Sequence, residues 1–174
     1  MRKPAAAIAA ALLTVVGCGS TSSSGSQPND ADVMFVQMMI PHHEQAIEMA
    51  KLADTRAKSQ DVKDLADAIE AAQDPEIRTM RGWLKGWDEH ASSGQMSHGM
   101  PGIMDDKTMG QLKQANGAAF DRLFLTAMIA HHEGAIAMAK DEKRDGSFPA
   151  ALSLADAIIE TQTAEIKRMR TLLG

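Results

Sequence analysis

Two pairs of adjacent histidines are the residues of this sequence best suited to chemistry. Each pair has a Met one helical turn before its second His and another at the seventh position after its first His. These side chains are His42, His43, His131 and His132, with Met39, Met128, Met49 and Met138. Imidazole and thioether together suit a soft ion such as Cu(I) better than Mg²⁺ or Ca²⁺, so the pattern predicts copper binding with Cu(I) favoured. Zinc is possible, but it leaves the Met pattern unexplained.

A second group of soft ligands lies in a Gly/Pro-rich segment within 91–109, between the two His pairs. Its members are Met96, His98, Met100 and Met104. We expect this connection to be exposed, where core packing does not account for so many ligands, and we interpret it as a further copper-binding segment. The alternative is a flexible hinge that packs onto the helices.

The chain contains an internal repeat that organises these residues. Residues 32–84 align with residues 121–173 at an offset of 89, because 121 minus 32 is 89. Both copies carry His-His-Glu, Ala-Ile and Met-Ala-Lys, followed by Leu-Ala-Asp-Ala-Ile and Glu-Ile. A repeat of this kind indicates one structural unit used twice, here a helical hairpin.

Apolar residues in each copy recur with the period of an α-helix. His43 falls at the centre of the apolar stripe, and His42 falls on its shoulder, about 100° away. We therefore expect His43 and His132 to be buried and neutral, and His42 and His131 to reach a ligand or solvent. The second helix of each hairpin places polar residues on its apolar stripe, namely Gln73 and Glu76 with their repeat mates Gln162 and Glu165. The alternative to metal binding is thus a structural polar layer, in which Gln73 or Glu76 bonds His43.

Local signals predict an all-α fold. Helices are expected near 32–53, 60–89, 106–143 and 148–173, with Ser59 and Ser147 as N-caps and kinks at Pro41 and Pro75. Two hairpins joined by the long connection give an antiparallel four-helix bundle over residues 30–174.

The N-terminal residues resemble an export signal. Arg2 and Lys3 precede a short apolar run, and the sequence then reads Val-Val-Gly-Cys. This end resembles the bacterial lipobox, which predicts a lipoprotein signal peptide over 1–17, a lipidated Cys18 and a flexible Ser/Gly tether over 18–29. The domain would be held at the outer face of the cell membrane. An ordinary secretory peptide with an incidental cysteine is the alternative.

Composition excludes several function classes. The net charge of -5 argues against nucleic acid as a partner, and a single cysteine excludes a disulfide within the chain. A di-iron enzyme needs Glu three places before a His, but these positions hold Met39, Ile40, Trp87, Gln95, Met128 and Ile129. We therefore do not expect an enzyme. An envelope scaffold or partner-binding bundle with purely structural His, Gln and Met is the alternative to metal binding.

The motifs together resemble a known bacterial family. Met-Ile-x-His-His-x-x-Ala-Ile-x-Met-Ala, then Gln-x-x-Glu-Ile-x-x-Met, with Met-Pro-Gly-Ile-Met before the second copy, are similar to domain of unknown function 305. The resemblance implies a ferritin-like four-helix bundle that is exported, in a family with some members linked to periplasmic copper binding and tolerance. It points to the paired histidines, their four methionines and the Met-rich connection.

Overall fold

The computed structural model describes residues 27–90 and 99–174, and the secondary structure of this part is helical. Its five helices are α1 (Asp30–Arg56), α2 (Gln60–Trp87), α3 (Asp106–Gln114), α4 (Gly117–Asp145) and α5 (Pro149–Leu173). The all-α prediction is confirmed. None of the described helices is long and apolar enough to cross a membrane.

The single long helix predicted over 106–143 is wrong, because the chain breaks between α3 and α4. The break falls at Asn116 and Gly117, where Gly117 takes a φ of 63° that favours glycine. Asn-Gly is a strong turn signal, and here it outweighs the helical character of both flanks. The short α3 thus becomes a separate element of the connection, and α4 begins at the second repeat.

Two acidic residues at equivalent repeat positions hold the starts of α2 and α5. Asp121 accepts hydrogen bonds from the backbone N–H groups of Lys58 and Ser59, both at 3.0 Å. Asp32 accepts from the N–H groups of Ser147 and Phe148, at 3.0 and 2.9 Å. Each carboxylate therefore satisfies helix-terminal donors of the other hairpin.

The predicted cap at Ser147 is wrong, because the N-cap of α5 is Phe148. Ser59 is the N-cap of α2, as predicted, but its side chain makes no capping bond. Both helix starts rely on the distant aspartates in place of a local hydroxyl.

The helices that carry the His pairs lie against each other. α1 packs mainly against α2, α4 packs mainly against α5, and the two hairpins meet chiefly through α1 and α4. Both α1 and α2 continue as helix through Pro41 and Pro75. The kinks expected at these prolines stay predictions.

The buried apolar residues form two clusters. The Phe35 cluster includes Phe35, Met39, Ile40, Ile77, Met80, Met138 and Ile158, and the Phe120 cluster includes Met49, Leu65, Ile69, Phe120, Phe124, Met128 and Met169. Along α1 the chain passes from the Phe35 cluster to the Phe120 cluster, and along α4 it passes in the reverse order. The two central helices are therefore antiparallel, and both His pairs fall between the clusters.

Candidate metal centre

A polar layer separates the two apolar clusters. It comprises the residues that lie between the clusters on the four long helices: His42, His43, Gln73, Glu76, His131, His132, Gln162 and Glu165. All four imidazoles are fully buried. Buried polar groups in a protein core are normally hydrogen-bonded, so the partners of each imidazole decide what this layer does.

His42 and His131 meet at the centre of the layer, one from α1 and one from α4. Their ring centroids are 3.8 Å apart, and neither side chain is exposed. Of the two alternatives expected for these shoulder positions, a ligand or solvent, burial excludes solvent. Because α1 packs against both α2 and α4, the side of the helix that carries His42 is covered as completely as the side that carries His43.

The hydrogen bond of His42 fixes which ring nitrogen carries its proton. Its Nε2 is 3.1 Å from the carbonyl oxygen of Pro101. A carbonyl can only accept, so Nε2–H donates, and Nδ1 of the neutral ring keeps its lone pair. That Nδ1 is buried and has no partner among the described residues. Burial, with the nearby His43, lowers the pKa of His42 to about 3, so the ring is neutral at physiological pH.

His131 is bonded less well than His42, because its ring makes only a poorly aligned contact with the backbone of His42. Neither of its ring nitrogens has a hydrogen-bond partner of normal geometry within the described part of the chain. Burial and the neighbouring His42 hold the pKa of His131 well below its ordinary value. A neutral, buried imidazole without partners is costly, and it is also a ready ligand for a cation.

The other two histidines are paired with carboxylates of their own hairpins. His43 Nε2 lies 2.8 Å from Glu76, and His132 Nε2 lies 2.7 Å from Glu165. Of the two partners expected for His43, Glu76 is the one observed. The rings of His43 and His132 thus each donate Nε2–H, and the Nδ1 atom of each is buried without a partner among the described residues. This is the arrangement in which metal-binding histidines are commonly oriented by an outer carboxylate or carbonyl.

The two glutamines of the layer are buried but less well satisfied. Neither amide atom of Gln73 has a hydrogen-bond partner in the described part of the chain, and the carbonyl oxygen of Gln162 has none either. Part of the polar layer therefore has no hydrogen-bond partner among the described residues.

Four methionines border the layer, two in each apolar cluster. Met39 and Met138 belong to the Phe35 cluster, and Met49 and Met128 belong to the Phe120 cluster. The most exposed of them, Met138, is only 6% exposed. Each cluster receives one thioether from each repeat, so soft sulfur atoms are available on both sides of the imidazoles.

The segment 99–104, here called the strap, crosses over the central helices. Gln45 binds it at both ends of its amide, donating to the carbonyl oxygen of Met104 at 2.9 Å and accepting from the Met104 N–H at 2.7 Å. Gly102 lies directly against the backbone of α4 at Gly134, where a Cβ on either residue would clash with backbone atoms of the other segment. The Pro101 carbonyl then reaches His42.

The expectation that the Met-rich connection is exposed is wrong for the two predicted ligands that the structure describes, Met100 and Met104. Met100 is only 5% exposed, and Met104 is partly buried and packs against the Phe120 cluster. The hydrogen bonds from Gln45 and the close packing against Gly134 hold the strap against the helices. Met96 and His98 lie outside the described residues.

Sequence reasoning missed Gln45, Pro101 and Gly134. Gln45 and Gly134 occupy the same place in the two repeats, since 45 plus 89 is 134, and they interrupt an otherwise matched run of His-His-Glu and Ala-Ile. The strap explains both residues. Gln45 forms hydrogen bonds with it, and Gly134 has no side chain that would collide with it. A mismatch inside a strong repeat was the available signal.

The donor set of the layer suits a soft ion. In the ranges 27–90 and 99–174, no three side chains of the types His, Cys, Asp or Glu are grouped so that they could hold a metal by themselves. Imidazole nitrogens with free lone pairs and bordering thioethers are the ligands preferred by Cu(I).

Comparison with known families agrees with the motifs. The profile of the family described as domain of unknown function 305 (DUF305) matches residues 32–173. The chain belongs to the DUF305 family. No curated protein is similar to it at a significant level.

Several DUF305 proteins of known structure are similar to this chain. One from Streptomyces coelicolor, assigned as secreted, is 32% identical with a TM-score of 0.77, covering 82% of this chain and 91% of its own. A DUF305 fragment from Deinococcus radiodurans is 31% identical with a TM-score of 0.77, covering 84% and 97%. CopM in its Cu(I)-bound form is 35% identical with a TM-score of 0.70, covering 81% and 94%.

CopM has also been solved with Cu(II), with silver and without metal. A protein similar to this chain over about four fifths of its length is thus found with copper and silver ions bound.

Proposed function

We propose that this DUF305 protein binds copper as cargo, preferably Cu(I), at the buried pair His42 and His131. The observation that carries the proposal is that these two neutral imidazoles lie in contact while three of their four ring nitrogens have no hydrogen-bond partner in the described part of the chain. Leaving a buried polar atom unpaired costs about 1 to 3 kcal/mol, which a bound cation would offset.

The surrounding residues support this role. His43 and His132, oriented by Glu76 and Glu165, would present further Nδ1 lone pairs, while Gln73 and Gln162 would contribute polar surroundings. The thioethers would come from Met39, Met49, Met128 and Met138, with Met96, His98, Met100 and Met104 of the connection as additional ligands. Copper supplies no catalysis in this proposal, since the chain would bind and buffer the ion. Copper-bound CopM supports the choice of metal.

The proposed architecture is an antiparallel, ferritin-like four-helix bundle of two hairpins. The antiparallel course of α1 and α4, and the packing of each against its own partner helix, support it. The remaining helix, α3, is too short to be a member of the bundle and belongs to the connection.

The proposed location is the outer face of the cell membrane, with lipidated Cys18 as the anchor. The signal peptide, Cys18 and most of the tether lie outside the described residues, and the proposal for them rests on the sequence pattern. The similar protein from Streptomyces coelicolor, assigned as secreted, supports an extracytoplasmic place. At that location the protein would not have to compete with cytosolic thiols for copper.

The second candidate function is a scaffold in which the polar layer only fixes the packing of helices. The hydrogen bonds of His43 with Glu76 and of His132 with Glu165 favour it, because they satisfy part of the layer without metal. The unpartnered nitrogens of His131 and the unpaired amide of Gln73 argue against it.

A titration of the untagged protein with Cu(I), in competition with a Cu(I) chelator of known affinity, tests the proposal. We expect tight binding that weakens at least about tenfold in His42→Gln and His131→Gln. ¹⁵N-detected NMR should show the Nδ1 signals of these rings shifting upon addition of Cu(I). Ring signals that stay unchanged at saturating Cu(I) would refute the central site and leave the scaffold.

A further inference from the structure

A surface cavity of about 330 Å³ opens between the start of α1 and the end of α4. Three methionines line it: Met34 and Met38, one turn apart on α1, and Met138 on α4. Thioether sulfur is a ligand for soft monovalent cations and a poor one for hard ions. The cavity therefore brings together three soft ligands at the protein surface.

Helix packing alone does not account for the methionines on α1. Met34 is 56% exposed and is the only large hydrophobic side chain so exposed in the described residues. The repeat mates of Met34 and Met38 are Leu123 and Ala127, since 34 and 38 plus 89 give 123 and 127. The second hairpin thus fills these helix positions without sulfur.

A buried carboxyl group forms part of the cavity wall. Glu142 is 2% exposed, and its carboxyl group shares a hydrogen bond with the Asp32 side chain. Its repeat mate is Ala53, so the acid belongs to this end of the molecule only. A cation bound beside these two acids would replace the proton of this bond, which would pass to solvent.

The rim of the cavity is acidic. Asp30, Asp141 and Asp145 line it, and Arg144 balances part of this charge by pairing with Asp141 and Asp145 at 2.8 and 2.7 Å. Carboxylates around the mouth of a cleft raise the local concentration of cations.

The cavity also adjoins the cover of the central pair. Pro101 lines it, and the carbonyl of the same residue accepts the hydrogen bond of His42. A cation held in the cavity is therefore separated from the central imidazoles by the strap.

We propose that Met34, Met38 and Met138, with the Glu142 carboxylate, form a surface site for Cu(I) that receives the ion before it passes under the strap to the central pair. The surface site stands on its own ligands, whereas the transfer step rests on the proposed function of His42 and His131. Neither the sequence pattern of paired histidines nor the Met-rich connection includes Met34, Met38 or Glu142.

The test uses the purified full chain with ¹³C-methyl methionine and Ag(I) as the probe. We expect the methyl signals of Met34, Met38 and Met138 to shift as Ag(I) is added. The double variant Met34→Leu with Met38→Ala copies the second repeat and is expected to fold, because Met34 is largely exposed. It should bind about one equivalent less, and its remaining Met138 shift should need at least about tenfold more Ag(I).

Met80→Leu is the matched control, because Met80 is a fully buried methionine that does not line the cavity. It should leave the number of bound ions and the Met34 shift unchanged. If Met34 and Met38 keep their free-state signals while Ag(I) binds elsewhere, the surface site is wrong. If they shift but the rings of His42 and His131 do not, the surface site stands and the proposed central function fails.

The transfer step is checked by stopped-flow mixing. In the double variant, Ag(I) should reach the central imidazoles at least about tenfold more slowly, with the final central occupancy unchanged at excess Ag(I). An unchanged rate would show that ions reach the pair by another route and would overturn the transfer step.

Discussion

His42 and His131 occupy the same position in the two repeats, and their rings meet with centroids 3.8 Å apart. The contact joins the two hairpins at the centre of the molecule through two neutral side chains. Each ring retains at least one buried nitrogen without a partner among the described residues. The contact serves either the packing of the two hairpins or, as proposed above, the binding of an ion.

Replacement of His131 by Leu separates these two roles. The substitution removes an unsatisfied buried group and keeps most of the side-chain volume, so the free energy of unfolding of the metal-free protein should stay equal or rise by about 1 kcal/mol. The stabilisation that Cu(I) gives to the folded state should disappear. Thermal unfolding with and without Cu(I) measures both. A metal-free variant destabilised by several kcal/mol would instead identify His131 as a structural residue.

His43 should behave differently, because it has a partner. His43→Leu leaves Glu76 without its hydrogen bond and should lower the free energy of unfolding by about 1 to 3 kcal/mol. His43→Gln, which can still donate to Glu76, should cost less. Urea unfolding of the two metal-free variants checks the order. Equal losses would mean that the hydrogen bond between His43 and Glu76 does not stabilise the fold.

Glu142 should make the free energy of unfolding fall as the pH rises above neutral. Burial and Asp32 raise the pKa of Glu142 from 4.5 to about 8, so the folded state keeps a proton that the unfolded state releases. This contribution is fully present below pH 4.5 and is lost as pH rises through 8. Glu142→Gln should flatten the decline.

The window for this measurement lies above pH 6.5. His42 acts in the opposite direction, because its pKa is lowered from 6.5 to about 3 and its contribution is lost only as pH falls below 6.5. Between 6.5 and 8 the wild-type slope, at most about 1.4 kcal/mol per pH unit, should belong to Glu142. Asp141→Asn, a neighbouring exposed change, is the control. An unchanged slope in Glu142→Gln would contradict the assignment.

Gly134 is expected to be intolerant of any side chain. Gly134→Gln copies its repeat mate Gln45, but a Cβ there would collide with the backbone of Pro101 and Gly102. The strap must then shift, at a cost of about 1 to 3 kcal/mol, and the hydrogen bond to His42 is lost. Hydrogen exchange at Ile103 and Met104 should speed up. Gly110→Ala, in open space on α3, is the control and should stabilise the protein slightly.

Cys18→Ala tests the membrane anchor. If Cys18 carries the lipid, the wild type should partition into the detergent phase and the variant should remain uncleaved or become soluble. Detergent-phase partitioning and the mass of the mature N-terminus measure this outcome. A wild-type protein found in the aqueous phase, with a mature N-terminus elsewhere, would rule out lipidation.

The helical secondary structure and the hydrogen bond between His43 and Glu76 were accessible from sequence, because both are local or lie within one hairpin. The bounds of α1, α2 and α5 differ from expectation by at most three residues. Glu76 was recognised because His43 and Glu76 share the apolar stripes of two consecutive helices.

The burial of His42 was not accessible in the same way. A helical wheel describes one helix against one apolar side, but α1 has two neighbours, so two sides of it are buried. The strap and the capping of α5 by Asp32 depend on contacts between residues more than fifty positions apart, as the separations of 59 for His42–Pro101 and 115 for Asp32–Ser147 show. No local pattern encodes such contacts.

The capping of α2 by Asp121 and of α5 by Asp32 means that each hairpin completes the other. A single hairpin released from the chain would start its second helix with unsatisfied N–H groups and would expose the face of its His pair. Two identical hairpins could exchange these caps and become a symmetric dimer. The present chain has the internal arrangement of such a dimer within one polypeptide, in which the two copies can carry different residues at equivalent positions. Gln45 of the first copy binds the strap, and its repeat mate Gly134 makes room for it.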